Sequence, residues 1–228
     1  MAKCKICGKK GLFLKLFEKK ACAECYKDYQ DAAETEPKRY EDNIAIVDGD
    51  AEFAERIAAA SRALAAARRL APFDAAGLDV KMPTPVAAAL AKLTDFPNAA
   101  LRAFVDRELP RAKAASQAAK SAEDKMAPFQ ALLTSLFEVQ PHLEDLGEFE
   151  KQAARVREFL DGADLAAALE AAEKEEFKGN SEKAVELYLE ALFLARRDAV
   201  EDEKQAEQIG FIREKIVSLG GQLPPSER

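Results

Sequence analysis

Hydrophobic residues recur at helical spacing along most of the chain beyond residue 50. The clearest stripe alternates steps of four and three residues and comprises Phe53, Ile57, Ala60, Leu64 and Ala67. This spacing predicts one face of a helix that runs from a cap at Asp50 to about Leu70. A core-facing stripe in a helical bundle is the favoured interpretation. A dimeric coiled coil, and with it a homodimer, is the alternative.

Prolines and polar segments divide the body into further predicted helices. Pro72 and the sequence FDAAGLDVKMPTP interrupt the first stripe. Thr84 followed by Pro85 predicts a new helix, because a capping hydroxyl precedes a residue whose backbone is pre-set for the first turn. Another helix is expected over residues 98–109. Pro110 is then expected to open a solvated helix rich in alanine and lysine.

The most hydrophobic stretch of the body covers residues 126–146 and is expected to end at Gly147. Its predicted core residues are Phe129, Leu132, Leu133, Leu136 and Phe137. His142, the only histidine, lies in this stretch after Pro141, without a nucleophile or a metal-ligating partner beside it. An ordinary surface or capping histidine is therefore expected.

The first 50 residues follow a different pattern. Leu12, Leu14 and Leu16 recur at period two, which predicts a short strand or hairpin. The sequence AECYKDYQDAAE, from residue 23, has helical spacing and predicts a helix. Residues 37–50 are polar and contain Pro37 and the sequence VDGD, so they are predicted to form a linker with a brief strand at 43–47.

A helical hairpin is predicted near the C-terminus, over residues 165–198. Gly179 occupies its turn, and small or aromatic side chains follow at helical spacing: Ala184, Tyr188 and Ala191. This segment resembles a single tetratricopeptide repeat, although Glu175 stands where that family has an aromatic residue. A third helix, from about residue 199 to 219, is expected to close the hairpin. The resemblance implies a protein-interaction scaffold, and a plain helical hairpin is the alternative.

Composition and charge agree with a helical protein. The chain has 228 residues, no tryptophan and only ten glycines and ten prolines, and it is rich in helix-forming residues. Its net charge of −7 is uneven, since residues 41–228 carry −11, which disfavours nucleic-acid binding by the body. No run of about 18 apolar residues is present, and the N-terminus is polar. A cytoplasmic protein without a membrane partner is expected.

All four cysteines fall within the first 25 residues and form two CxxC pairs, Cys4 with Cys7 and Cys22 with Cys25. Two such turns let four thiolates converge on one tetrahedral metal ion. The spacing predicts one structural Zn²⁺. A redox pair would need a βαβ context that the sequence lacks, and a catalytic zinc would need an open coordination position, which four thiolates close.

The order of a CxxC knuckle, a short hairpin and a helix that supplies the last two ligands resembles a treble-clef or zinc-ribbon finger. More narrowly, residues 1–35 resemble the short four-cysteine domains of unknown function at the start of many bacterial proteins. The resemblance implies metal binding. Fingers of this kind bind nucleic acid in some proteins, bind a protein partner in others, and often do neither.

The sequence thus predicts a mainly α protein with a small four-cysteine zinc head, followed by a helical bundle or a body like tetratricopeptide repeats. The expected organisation is a finger over 1–36, a linker over 37–50, a helical region over 51–120 and a helical C-terminal region over 121–228. No catalytic set or phosphate-binding glycine loop is found. The favoured function is a non-enzymatic adaptor that binds a protein partner through the body. The alternative is a protein that contacts nucleic-acid phosphates through the head, using Lys3, Lys5, Lys9, Lys10, Lys15, Lys19 and Lys20.

Overall fold

The computed structural model describes residues 1–197 and 205–225, and these are 76% helical, with seven helices and almost no sheet. The predicted mainly α fold is confirmed. The strands are β1 (Ala2–Lys3) and β2 (Lys10–Gly11). The helices are α1 (Ala23–Asp48), α2 (Phe53–Ala75), α3 (Val86–Ala118), α4 (Ala122–Val139), α5 (Gly147–Phe177), α6 (Ser181–Arg197) and α7 (Ala206–Ser218). A 3-10 turn covers Gln140–His142.

The chain forms two compact units. The first comprises residues 1–103 and 138–146, and the second comprises residues 104–137 and 147–228, of which 198–204 and 226–228 are outside the described part. The boundaries between the units fall within α3, within α4 and just before α5.

In the first unit, α1 and α2 form a hairpin packed through small residues. Five alanines of α2 are almost completely buried: Ala59, Ala60, Ala63, Ala66 and Ala67. They share one core cluster with Tyr40 and Val47 of α1. Because alanine adds only a methyl group to the backbone, these side chains let two helices approach closely while the tyrosine fills the adjoining space.

The predicted linker over residues 37–50 and its strand at 43–47 are wrong, because α1 continues to Asp48. Glu36, Tyr40, Asn43 and Val47 alternate steps of four and three residues and are all buried. The segment therefore has a complete core-facing stripe. Two of the four positions are polar, which hid the helical period from a reading based on hydrophobic residues.

Polar partners explain how α1 keeps these two polar residues in its buried face. The Glu36 carboxylate, on a side chain only 2% exposed, lies 2.8 Å from the guanidinium of Arg69 and 3.8 Å from that of Arg39. The Asn43 side-chain oxygen accepts a hydrogen bond of 2.7 Å from Arg62. Each buried polar group therefore retains the bonds that water would otherwise supply.

The predicted breaks at Pro72 and Pro110 are also wrong. α2 continues through Pro72 to Ala75, and α3 is one helix that contains both Pro97 and Pro110. Leu101, Val105 and Leu109 of α3 are buried at steps of four across this region, so the apolar face continues despite the prolines. An apolar face of this kind offsets the local cost of about 3 kcal/mol for an interior proline. The predicted start after Thr84 and Pro85 is confirmed, because α3 begins at Val86.

The hydrophobic stretch at 126–146 is shorter as a helix than expected. α4 ends at Val139, and Gly147 begins α5 rather than ending the preceding element. Phe129, Leu132 and Leu136 are buried as predicted, whereas Phe137 is 42% exposed. In the second unit the Phe129 ring lies 6.2 Å from that of Phe159 of α5, so α4 and α5 pack together through aromatic side chains.

The predicted C-terminal hairpin is formed by α5 and α6, and α7 packs against it. One core cluster joins Ala172 of α5 and the predicted small and aromatic positions of α6 to three isoleucines of α7, Ile209, Ile212 and Ile216. The predicted closing helix is confirmed over Ala206–Ser218, and its first predicted residues, 199–204, lie outside the described residues.

A shared carboxylate also connects the three helices. The Tyr188 hydroxyl donates a hydrogen bond of 2.8 Å to Glu176, and the Lys215 ammonium group donates another of 2.7 Å. Both hydrogen bonds lower the pKa of Glu176, and the bond from Lys215 has the larger effect. α5, α6 and α7 are thus held by a charged contact as well as by their apolar core.

Two glycines with opposite backbone requirements provide a test of the hairpin. Gly179 in the turn has φ +77°, and Gly162 lies inside α5; an added Cβ would meet nothing within 4 Å at either position. Gly179→Ala is expected to lower the free energy of unfolding by about 1–2 kcal/mol, the cost of a left-handed backbone for an L-residue. Gly162→Ala is expected to raise it by about 0.5–1 kcal/mol. Urea denaturation measures both, and a change of the same sign in the two variants would contradict the described turn.

Candidate metal centre

Two short elements bring the four predicted cysteines together at the start of the chain. β1 pairs with β2 in an antiparallel hairpin, and Cys4 directly follows β1. Cys22 is the N-cap residue of α1, and Cys25 lies in its first turn. Gly8 has φ +74°, the left-handed conformation that the tight turn after Cys7 requires.

The four sulfur atoms lie within 4.8 Å of one another. All four cysteines are free thiols, and the Sγ atoms of Cys7 and Cys22 are 3.8 Å apart, whereas a disulfide would need about 2.05 Å. A tetrahedral ion with metal–sulfur bonds of about 2.3 Å requires its ligands to be roughly 3.8 Å apart. The cluster is therefore positioned to bind one metal ion, and four soft thiolates in this arrangement suit zinc or iron.

The protein buries this cluster unevenly. Cys4, Cys22 and Cys25 are buried, and Cys7 is exposed. Burial raises the pKa of Cys4, but hydrogen bonds from the backbone of Cys22, Cys7 and Ile6 outweigh it and lower the pKa to about 6. Burial, together with the neighbouring cysteine side chains, raises the pKa of Cys25. The backbone N–H group of Cys22 points at the Cys4 sulfur at 3.4 Å, which favours the thiolate that a metal needs.

The metal centre shares its core with the end of α2 and the segment that follows. Cys4, Cys22 and Cys25 belong to one cluster with Leu70, Phe73, Leu78 and Val86. The Tyr29 ring lies 5.7 Å from that of Phe73, and the Tyr29 hydroxyl donates a hydrogen bond of 2.8 Å to the Asp79 carbonyl. Lys20 donates a further hydrogen bond to the Gly77 carbonyl. The head is therefore packed on the helices of the first unit.

The strand predicted over residues 12–16 is not formed. β2 ends at Gly11, and the next pairing is an isolated bridge between Phe17 and Ala21. Leu14 and Leu16 pack beside the metal centre, whereas Leu12 and Phe13 are 76% and 95% exposed. Period-two spacing placed Leu12 on one face with Leu14 and Leu16, and this is wrong for Leu12, which the turn exposes together with Phe13.

His142 lies apart from the metal centre in sequence, within the 3-10 turn, and is exposed, as predicted for a surface histidine. No helix within residues 1–197 and 205–225 has the length and apolar character needed to cross a membrane. Comparison with protein families, with curated proteins and with solved structures finds no match to the chain.

Proposed function

We propose that the chain is a non-enzymatic adaptor in which one structural Zn²⁺ holds the head and the helical body binds a protein partner. The convergence of four sulfurs supports the first part, because four thiolates fill the coordination shell of zinc and leave no position for a substrate. On this proposal the head is a finger of the treble-clef or zinc-ribbon kind. The metal then stabilises the fold and takes no part in chemistry.

The observation that carries the adaptor role is one exposed face of α6. Glu182, Glu186 and Glu190 recur at steps of four along it, and Phe193 follows one turn later with 60% of its surface exposed. Arg197 continues the face with its guanidinium 5.5 Å from the centre of the Phe193 ring. An exposed aromatic residue next to a row of carboxylates suits a partner that carries basic residues around an apolar side chain.

The turn before α6 extends this face. An open depression there is lined by Gly179, Asn180, Ser181, Glu182, Lys183 and Glu186. The Lys183 ammonium group already lies 2.7 Å from Glu186, but both side chains are well exposed, so this pair is readily exchanged for a basic partner. We infer that the partner is an extended or helical basic segment of a protein, bound along α6. On this proposal the hairpin serves as a protein-interaction scaffold, as tetratricopeptide repeats do, but through its second helix, whereas that family binds through the first.

Affinity capture from host cells, with quantification of each captured protein by mass spectrometry, tests the proposal. Proteins that bind the wild-type chain through α6 are expected to be lost, by at least tenfold, with Phe193→Ala and with Glu190→Lys. Phe177→Ala is the matched control, because Phe177 is 94% exposed but lies at the end of α5. Capture of no protein that depends on Phe193 and Glu190 while tolerating Phe177→Ala would overturn the proposal.

A further inference from the structure

Two lysines of the head face each other across the β1–β2 hairpin. The strands are antiparallel and pair Lys3 directly with Lys10. Residues opposite each other in such a pair have Cβ atoms about 4.5–5.5 Å apart on the same side of the sheet, and like charges there are destabilising. Both side chains are exposed, and neither forms an ion pair with any residue in the described part of the chain. The hairpin therefore presents two neighbouring positive charges to solvent, where an external anion can bind both.

An exposed aromatic ring follows this lysine pair within three residues. Phe13 is 95% exposed, and its neighbour Leu12 is 76% exposed. The turn that carries them is fixed at both ends, because Gly11 is paired in the hairpin and Leu14 packs in the metal-centre cluster. An added Cβ on Gly11 would lie 3.3 Å from the Leu14 side chain, so the turn is tight. The Phe13 ring is thus presented to solvent from a rigid base.

The segment that carries this ring has a net positive charge. Residues 1–25 contain seven lysines and two glutamates, a net charge of +5. A zinc ion with four thiolates contributes −2 and leaves +3. Glu24 lies 3.9 Å from Lys9, and the Lys15 ammonium group lies 5.5 Å from the Phe17 ring. A polyanion approaching the turn therefore meets lysines on both strands and beyond it.

We propose that the head binds single-stranded nucleic acid, with Lys3 and Lys10 on backbone phosphates and the Phe13 ring stacked on a base. This combination of lysines with an exposed ring is what sequence-tolerant binding of single strands requires. A duplex hides the faces of its bases, so the ring would add nothing there. Two apolar side chains are a small anchor for a bilayer, since even a single myristoyl chain gives only marginal attachment. This site is separate from the α6 surface and goes beyond the adaptor role.

Fluorescence anisotropy with a labelled 15-nucleotide oligo-dT tests the proposal on the whole 228-residue chain loaded with zinc. Binding is expected to weaken with salt, and two phosphate contacts give a slope of about −1.4 in log K against log salt. Loss of one stacked base costs about 1–3 kcal/mol, so Phe13→Ala is expected to weaken binding roughly 5- to 150-fold. Phe13→Leu is expected to weaken binding similarly, because it keeps an apolar side chain but removes the ring, whereas Phe13→Trp retains binding. Phe177→Ala, at an equally exposed ring, is the matched control.

A double variant tests the contribution of the two lysines to phosphate binding. Lys3→Gln with Lys10→Gln is expected to make the salt slope shallower by about 1.4, since each lost phosphate contact removes about 0.7. Zinc content and circular dichroism of each variant verify that the head is folded.

Four results would overturn the proposal. They are no oligo-dT binding at low salt, equal binding by wild-type chain and Phe13→Leu, equal affinity for a DNA duplex, and attachment to vesicles with anionic lipid or to polyglutamate without attachment to oligo-dT. None of them bears on capture of a protein by α6, so the two proposals fail independently.

Discussion

Replacing Cys22 with serine is expected to abolish the proposed zinc binding and to lower the free energy of unfolding of the first unit by more than about 4 kcal/mol. Structural zinc sites contribute on the order of 10–16 kcal/mol of binding free energy to small fingers, and a lost ligand forfeits much of it. Cys22 is also the residue at which α1 begins, and it shares a core cluster with Leu70 and Phe73 of α2. The loss should therefore extend to the end of α2.

Elemental analysis is expected to show the zinc content falling from one ion per chain to nearly none, and thermal denaturation should show the loss of stability. Ala23→Ser is the matched control, because it places the same hydroxyl at the next, exposed position. A strong chelator should reproduce the effect in the wild-type chain and leave most of the helicity, since α5, α6 and α7 have a core of their own. A Cys22→Ser variant with one tightly bound zinc and unchanged denaturation would contradict this interpretation.

Replacing Arg69 with methionine is expected to lower the free energy of unfolding by about 2 kcal/mol. The Arg69 guanidinium is the nearest cation to the Glu36 carboxylate, whose side chain is only 2% exposed. Removing one partner of a fully buried ion pair costs about 3–5 kcal/mol, because a buried charge loses its partner. A smaller loss is expected here, because the Arg69 side chain is 55% exposed and Arg39 remains 3.8 Å from the same carboxylate.

The preceding residue supplies a matched control for urea denaturation. Arg68 pairs with Glu144, whose side chain is 57% exposed, so Arg68→Met is expected to cost less than about 1 kcal/mol. Adding Glu36→Leu to Arg69→Met removes both charges and should recover most of the loss. Equal destabilisation by Arg68→Met and Arg69→Met would show that burial of Glu36 is not what matters.

The candidate metal centre was the part of the molecule most open to prediction from sequence. Two CxxC pairs within 25 residues restrict where the sulfurs can lie, so spacing alone specified the residues that the structure brings together. The hairpin of α5 and α6 was also predictable, because a glycine turn separates two strongly periodic segments. In both cases the signal lies within about 30 residues and needs no distant partner.

Features that depend on distant residues were not predictable in this way. The α1 stripe contains Glu36, whose burial depends on Arg69, 33 residues further along the chain. Local rules predict that a proline ends or kinks a helix, yet α2 continues through Pro72, and α3 continues through Pro97 and Pro110. The exposure of Phe13 was missed for a similar reason, since only the packing of Leu14 against the metal centre fixes which side chains of that turn face solvent.

Because α1 and α2 pack through alanines, substitutions to larger side chains are expected to be more harmful there than substitutions to smaller ones. In most protein cores truncation is the damaging change, because it leaves a cavity. The five buried alanines of α2 offer almost nothing to truncate, whereas any longer side chain must push the two helices apart. Natural homologues should therefore vary at these positions mainly toward glycine or serine, and a gain of bulk there should be accompanied by a loss of bulk in α1.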